Sequence, residues 1–258
     1  MKNLLFDHLV HFTNSPTEAK ESLSSLGFQT INGGEHPKWG THNTLCYFNG
    51  IIYLEWIGIK NLSIAKQSDN VLIQQLVNDA SLGEGFVQLA FRTNNIEKLS
   101  EQLQQKGFKP IGPFIGSRKR EDGSILKWSM LFIEDSVETE VRYPFFIQWG
   151  DSEVQRVQQM KSFFLHENKT DTMEYIGIAS TNTANASTQY KKLFSLNESI
   201  QQKDEYGPYE EIQLGGIALR FYEAILPEWK KSIGRPCLCG ITRGGENLVK
   251  LHGAHYIL

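Results

Sequence analysis

One pattern of secondary structure, a strand followed by a helix and then by three strands, occurs twice in the first 150 residues of this chain. In the first copy, the alternating strand signal LLFDHLVHFT precedes the helical stretch SPTEAKESLSSLGF, and two further strand signals, THNTLCYF and IIYLEWIG, meet at Asn49-Gly50. Such a dipeptide is typical of tight hairpin turns. The second copy starts with GFVQLAFRT, continues with the helical signal NNIEKLSEQLQQKGF and ends with YPFFIQWG. The repeat predicts a fold built from copies of one supersecondary unit.

A third and weaker copy follows the first two. MEYIGIAST predicts a strand, NTANASTQYKKLFSL a helix, and EEIQLG and GIALRFYEA two strands, while the tail offers further strands. The predicted boundaries are 1–60 for the first module, 61–83 for a connecting helix, 84–150 for the second module, 151–172 for a linker, and 173–258 for a third, degenerate module with C-terminal strands.

Polar residues interrupt the predicted strands at matching places in the first two copies. Glu55 lies within an apolar run, where an ionised carboxylate is costly unless a partner meets it. When the opening strands are aligned on their phenylalanines, His8 falls opposite Gln88, and when the closing strands are aligned on their tryptophans, Glu55 falls opposite Gln148. These four side chains are predicted to converge if the two copies pair their sheets face to face. By strand alternation, His11 points away from the face that carries His8.

The repeated modules and the spacing from His8 to Glu55 resemble the vicinal oxygen chelate superfamily. The stretch from His36 to Glu55, with DHLV before it and PFFIQW after it, is similar to the glyoxalase-like branch of that superfamily. The resemblance implies an α+β fold of repeated βαβββ modules whose curved mixed sheets enclose a cleft. In metal-using members the ligands come from the first and last strands of each module, which carries over here to His8, Glu55, Gln88 and Gln148.

The implied cofactor is a divalent metal ion, Zn, Fe, Mn, Co or Ni, because neutral imidazole suits these ions and a carboxylate adds anionic charge. His8, Glu55 and Gln88 are the predicted ligands. Each assignment has an alternative: a hydrogen-bonded core histidine for His8, a surface-facing or Lys/Arg-paired carboxylate for Glu55, and a hydrogen-bonded cleft amide for each glutamine. A set of one His, one Glu and two Gln also departs from the two-His, two-Glu set of strong binders.

The connection before the third strand carries further candidates. His36 precedes WGTHN, where it could serve as a ligand or general base, bind substrate by a hydrogen bond, or simply structure the loop. Glu55 and His36 are the predicted catalytic residues. The predicted substrate contacts are Trp39, Gly40, Thr41, Asn43 and Gln148, since glycine permits close backbone approach and aromatic residues line apolar clefts. Arg118, Arg120 and Arg142 are candidate clamps for a carboxylate or phosphate.

Two functions follow from these candidates. The first is a metal-dependent enzyme of the lyase, isomerase or dioxygenase type, in which the ion binds two neighbouring oxygens of a small substrate and acts as a Lewis acid. The second is a non-enzymatic binding or resistance protein that uses the same cleft without metal. The sequence does not decide whether the chain is an enzyme, but it favours the first function.

Composition argues against several other classes of protein. A net charge of −3 and a pI near 6.2 argue against a nucleic-acid or anionic-membrane surface. The sequence predicts neither a membrane span nor a signal peptide. Three cysteines are too few for a disulfide framework, and the Cys-x-Cys and His-x2-His spacings of the tail are tighter than those of common zinc sites. We therefore expect a cytoplasmic protein that binds a small molecule, with a homodimer left open.

Overall fold

The computed structural model describes residues 4–119, 123–224, 226–241 and 247–258, and in this part of the chain fifteen strands form two curved mixed sheets. The strands of the first sheet are β1 (Leu5–Phe12), β2 (Ile31–His36), β3 (Thr41–Phe48), β4 (Ile52–Ile59), β5 (Gly85–Arg92), β6 (Pro110–Lys119), β7 (Ile125–Ile133) and β8 (Phe145–Trp149). Those of the second sheet are β9 (Tyr175–Ser180), β10 (Ile200–Asp204), β11 (Gly207–Leu214), β12 (Ile217–Glu223), β13 (Pro236–Gly240), β14 (Leu248–Leu251) and β15 (Ala254–Ile257).

Each α-helix of the described chain begins after a serine or asparagine whose side chain accepts a backbone N–H of the first turn, which stabilises the helix start. The helices are α1 (Pro16–Ser24), α2 (Leu62–Lys66), α3 (Val71–Asp79), α4 (Ile96–Gln105), α5 (Glu153–Met160) and α6 (Thr183–Phe194). The predicted connecting helix of 61–83 is thus two helices, α2 and α3, and the predicted linker of 151–172 contains α5.

The first sheet joins the two predicted modules side by side through β1 and β5, and not face to face as expected from the sequence. Its strand order is β2-β3-β4-β1-β5-β8-β7-β6, with β1 parallel to β4, β5 parallel to β8, and β1 antiparallel to β5. The first strand of each module therefore lies at the centre of the sheet, next to the last strand of its own module. This arrangement confirms the predicted fold class of repeated βαβββ modules.

The second sheet repeats this order with one edge strand fewer. Its order is β10-β11-β12-β9-β13-β15-β14, so β13, β15 and β14 take the places that β5, β8 and β7 have in the first sheet. The tail predicted as additional strands is therefore the remnant of a fourth module. It gave no repeat signal because β14 begins at Leu248, soon after β13 ends at Gly240, a connection far shorter than the one that holds α1 between β1 and β2.

The register of the strands corrects one alignment made from the sequence. Glu55 pairs with Val10, and Phe145 pairs with Ala90, the residue that corresponds to Val10 in the second module. Phe145 is thus the counterpart of Glu55, and the alignment on tryptophans, which put Gln148 in that place, is wrong by three residues. The cause is that the two tryptophans are not equivalent: Trp56 follows Glu55 directly, whereas Trp149 is the last residue of β8, well beyond Phe145.

The largest hydrophobic cluster lies between the two sheets and includes residues of α1, α4 and α6. His11 of β1 lies at this junction, with Nδ1 2.6 Å from the Tyr256 hydroxyl of β15 and Nε2 2.7 Å from the carbonyl oxygen of His252. This placement confirms that His11 points away from His8. The opposite, concave face of the first sheet is covered in part by α3, and the rest of that face borders a cavity.

Candidate functional site

The cavity on the concave face of the first sheet encloses about 690 Å³. Both modules contribute to it, and α5 with the turn after it closes one side. Its aromatic lining residues are Trp39, Tyr47, Tyr53, Trp128, Phe145, Trp149 and Phe163. A cavity of this size with a mostly apolar wall and a few polar groups is typical of a small-molecule site.

Three side chains, those of Asp7, His8 and Glu55, lie next to one another in the wall of this cavity. Asp7 Oδ1 lies 2.7 Å from His8 Nδ1, and His8 Nε2 lies 3.5 Å from Glu55 Oε2. Neighbours on a strand normally point to opposite faces, but the pairing of β1 with β5 is irregular between Phe6 and His8, and this bulge allows the two adjacent side chains to meet. The hydrogen bond to Asp7 selects the tautomer of His8 that carries its proton on Nδ1 and directs Nε2 towards Glu55.

Asp7 is fully buried and is held by cationic and polar neighbours. Its Oδ2 lies 3.3 Å from Arg156 Nη1, 3.9 Å from Arg92 Nη1, and accepts a hydrogen bond of 3.1 Å from Trp149 Nε1. Burial raises the pKa of Asp7, but the Arg156 guanidinium and the hydrogen bond from His8 outweigh it and lower the pKa to about 2. Asp7 is therefore a carboxylate at neutral pH, as the orientation of His8 requires.

Glu55 has the partners that its place in a strand requires. Asn43 Nδ2 donates a hydrogen bond to Glu55 Oε1, which leaves Oε2 for His8 and the cavity. A Cβ atom on Gly33 would lie 2.0 Å from Asn43 Oδ1, so a side chain at position 33 would displace the asparagine. Glu55 is thus buried and not surface-facing, and no lysine or arginine of the described residues pairs with it, so neither alternative left open by the sequence is seen in this part of the chain.

His36, at the end of β2, and Trp39, in the turn between β2 and β3, line the same cavity. His36 Nδ1 lies 3.0 Å from the Thr41 hydroxyl. Burial is the main cause that lowers the pKa of His36 to about 4, so its imidazole is neutral at physiological pH. Gly40 has a φ of 66°, and its carbonyl oxygen accepts hydrogen bonds from the backbone N–H groups of Lys60 and Asn61. Gly40 and Thr41 thus do not line the cavity themselves; Gly40 fixes the backbone of the turn, and Thr41 contacts His36.

The two predicted glutamines are held elsewhere. Gln88 Oε1 accepts a hydrogen bond from the Leu89 N–H, and its Nε2 lies 3.3 Å from Gln75 Oε1 of α3. Gln148 Oε1 accepts a hydrogen bond of 2.7 Å from the Ile96 N–H at the start of α4 and borders a second, smaller pocket. The structure therefore brings together five of the predicted site residues and leaves both glutamines outside the cavity; the five are His8, His36, Trp39, Asn43 and Glu55.

Two residues of the site were missed from the sequence. Asp7 lies in the DHLV motif, but strand alternation alone assigns it to the opposite face from His8. Arg156 lines the cavity from α5, in the segment predicted as a linker, and its guanidinium stacks on Trp149 at 4.4 Å. Only the DHLV pairing of a carboxylate with a histidine offered a signal; nothing near Arg156 in the sequence points to the site.

The candidate arginine clamps lie apart from one another. Arg118 lines the cavity from β6, whereas Arg142 forms an ion pair of 2.8 Å with Asp79 away from it. Arg120 lies outside the described residues.

The residues present do not fit a resident metal ion held by both modules. The four positions at the first and last strands are occupied by His8, Glu55, the engaged Gln88 and the apolar Phe145. Across the described residues there is no group of three or more His, Cys, Asp or Glu side chains that could hold a metal ion. Catalytic metal sites commonly use three protein ligands, and this site offers two strong ones.

The second sheet has no comparable site at the corresponding positions. Tyr175 pairs with Ala218 as His8 does with Tyr53, which makes Arg220 the counterpart of Glu55. The Arg220 guanidinium lies 3.7 Å from the centre of the Tyr175 ring and 2.9 Å from Glu211 Oε2. The charge of Arg220 is therefore paired within the protein, next to a hydrophobic cluster on that face that includes Tyr175.

Comparison with known proteins places the fold. The model of a family described as "Glyoxalase-like domain" matches residues 6–194. A hypothetical protein from Staphylococcus aureus aligns over 98% of both chains with 22% identity and a TM-score of 0.81. A mutant of 4-hydroxymandelate synthase from Streptomyces coelicolor aligns over 92% of this chain and 70% of its own, with 10% identity and a TM-score of 0.52. Methylmalonyl-CoA epimerase from Mycobacterium tuberculosis covers 58% of this chain and 90% of its own, at 14% identity and a TM-score of 0.42.

No curated protein matches the sequence. At these identities the structural likenesses establish the fold and not the reaction. Among the described residues, no helix is both long and apolar enough to cross a membrane.

Proposed function

Because the chain belongs to the glyoxalase-like domain family of the vicinal oxygen chelate superfamily, we propose that it is an enzyme that transfers a proton on a small organic substrate bearing a carbonyl or hydroxyl oxygen. The observation that carries this proposal is the Asp7–His8–Glu55 chain in the wall of the 690 Å³ cavity. An oriented acid–base pair next to an apolar cavity is the arrangement that proton transfer requires.

Glu55 is the proposed general base. Asn43 occupies its Oε1, so Oε2 takes the substrate proton, and His8 Nε2, 3.5 Å away, exchanges that proton with it. Asp7 keeps the other ring proton of His8 on Nδ1, so that Nε2 remains the atom that accepts and returns the proton. Proton removal beside a carbonyl group would then leave negative charge on the substrate oxygen.

Trp39 and His36 are the proposed partners of that oxygen. Trp39 Nε1 is buried and has no hydrogen-bond partner within the described chain, although the residue lines the cavity. Buried N–H groups are rarely left unpaired, so a ligand oxygen is a natural acceptor for it. A donor fixed at the site of developing charge stabilises the transition state.

Most members of the superfamily use a divalent metal, and the sequence predicted such an ion at His8 and Glu55. We propose that the present site works without a resident ion, because Phe145 and the engaged Gln88 remove two of the four donor positions. The expected result is substoichiometric metal in the purified protein and activity that persists after dialysis against a chelator. Stoichiometric metal that disappears in His8→Ala and Glu55→Ala would overturn this part of the proposal.

A binding protein that sequesters a small aromatic molecule is the second candidate, and the aromatic wall of the cavity favours it. Glu55→Gln separates the two functions, since it keeps the shape and the hydrogen-bonding capacity of the side chain but removes the base. An enzyme should still bind its ligand and lose turnover, whereas a sequestering protein should keep its whole function.

Solvent deuterium exchange tests the proposal directly. Aromatic and aliphatic 2-oxo acids and hydroxyketones are incubated in D2O with the protein, and loss of the proton next to the carbonyl is followed by NMR. We expect exchange that falls at least a hundredfold in Glu55→Gln and stays unchanged in Glu134→Gln, a carboxylate outside the cavity. Exchange equally fast in Glu55→Gln, or binding of these compounds without exchange, would refute it.

A further inference from the structure

The charges that line the cavity are unequal in sign. Its described lining residues include four cationic side chains and one carboxylate, that of Glu55. The cationic residues are Lys20, Arg118, Lys119 and Arg156. Arg156 is paired with Asp7, whereas the other three lie on α1 and at the end of β6, beside β2, and are partly or fully exposed, so we take this as the open side of the cavity.

Arg118 is the cation best placed to meet a ligand. Its Nη1 lies 2.9 Å from where a Cβ atom on Gly34 would be, so the guanidinium lies directly against the backbone of β2. None of the ion pairs within the described part of the chain involves Arg118. Its charge lowers the pKa of His36, in addition to the larger effect of burial, and opposes the rise that burial causes in the pKa of Tyr47; both effects place the guanidinium near these two residues of the cavity wall.

Lys20 adds a second charge at the same opening. Its Nζ donates a hydrogen bond of 3.0 Å to Asn32 Oδ1, next to Gly33-Gly34 on β2. Glu55, in contrast, is buried, and the charges of both Glu55 and Arg118 act on His36. The cavity therefore has a cationic opening, a neutral histidine in between, and a carboxylate inside.

We propose that the ligand of this cavity is an organic anion, with an apolar or aromatic body against the aromatic wall and a carboxylate, phosphate or sulfonate group bound by Arg118. This inference rests on the proposed function, since it names the substrate class of the same cavity. Repulsion from Glu55 and attraction to Arg118 fix the direction of the ligand, so the anionic group lies at the opening and the carbon that loses its proton lies inside. Arginine suits this role because its planar fork of donors matches the oxygens of such groups.

A pair of fluorescent probes tests the charge preference without requiring any reaction. Anilinonaphthalene sulfonate and N-phenylnaphthylamine share one aromatic skeleton, and only the first carries a negative charge. We expect the wild-type protein to bind the sulfonate at least tenfold more tightly than the neutral probe, and Arg118→Met to abolish this preference while leaving the affinity for the neutral probe within twofold. A tenfold change corresponds to about 1.4 kcal/mol.

Two further variants control this measurement. Arg118→Lys should retain part of the preference, because the charge remains but the planar fork is lost. Lys109→Gln removes one positive charge at an exposed ion pair with Glu134 and should leave both affinities unchanged. Circular dichroism verifies that each variant is folded.

Three outcomes would overturn the inference: equal affinity of the wild type for both probes, binding of neither probe, or a preference that survives in Arg118→Met. Failure here leaves the proton-transfer proposal standing if Glu55→Gln still abolishes exchange. Conversely, if the wild-type protein prefers the sulfonate but catalyses no proton exchange, the proposed enzyme is refuted and the anion site remains.

Discussion

The ion pair between Asp7 and Arg156 allows a quantitative test of how the site is held together. Both side chains are almost completely buried, and their closest charged atoms are 3.3 Å apart. The pKa of Asp7 is lowered from 3.8 to about 2, with Arg156 as the largest lowering cause. A shift of this size corresponds to about 2 kcal/mol of folding free energy, to which the interaction with Arg156 contributes most.

A double-mutant cycle isolates the interaction. Asp7→Asn leaves the Arg156 guanidinium buried without its main counter-ion, and Arg156→Met leaves Asp7 with Arg92 as its remaining arginine. Because removal of one partner of a buried ion pair costs about 3 to 5 kcal/mol, each single variant should lose stability. The double variant loses both charges together. We therefore expect the two single losses to exceed the loss in the double variant by about 2 kcal/mol.

The assay is guanidinium chloride unfolding at pH 7, and the measured quantity is the free energy of unfolding of all four proteins. The exposed pair Lys109–Glu134 serves as a matched cycle in which no measurable coupling is expected. Additive losses at Asp7 and Arg156, within about 0.5 kcal/mol, would refute the reasoning. The sign of the pH dependence is also fixed: this contribution is complete above pH 3.8 and disappears as the pH falls to about 2, and Asp7→Asn should remove it.

Three further predictions concern other parts of the molecule. Gly33→Ala should displace Asn43 and lower the free energy of unfolding by about 1 to 3 kcal/mol. It should also slow proton exchange, and full exchange activity in this variant would argue against a role for Asn43 in holding Glu55. Burial lowers the pKa of His11 to about 4, so its contribution is complete above pH 6.5 and declines as the pH falls towards 4. His36 adds a loss of its own in the same pH range, so the test is the difference between proteins: the fall in the free energy of unfolding between pH 7.5 and 5 should be about 2 kcal/mol smaller in His11→Gln than in the wild type, and an equal fall in both would contradict this. The ring of Phe145 lies 5.4 Å from that of His8, so Phe145→His should add a third metal ligand to His8 and Glu55 and raise the affinity for Co²⁺ at least tenfold in equilibrium titrations. Unchanged affinity would contradict the assignment of Phe145 as the counterpart of Glu55.

The sequence predicted the convergence of His8 and Glu55 correctly because both lie in strands whose alternation and order can be read locally. It failed for Gln148 because the position of β8 depends on the long connection after β7, whose path has no local signal. Asp7 was missed because a bulge reverses the rule of alternation on which the prediction depended. Arg156 was missed because it reaches the site through tertiary packing of α5, and no periodicity within the sequence specifies that contact.

The role of α5 changes what should be regarded as the minimal unit that contains the candidate site. The repeat suggests a boundary near residue 150, after two complete modules, yet the helix that follows supplies Arg156 to Asp7, and the next turn packs Phe163 against Tyr47. A fragment that ends at residue 150 would contain every strand of the first sheet and still lack one wall of the cavity and the main counter-ion of Asp7. The segment that joins the two halves of the protein thus belongs functionally to the first half. A transplant of this site into another scaffold would have to carry that segment with it.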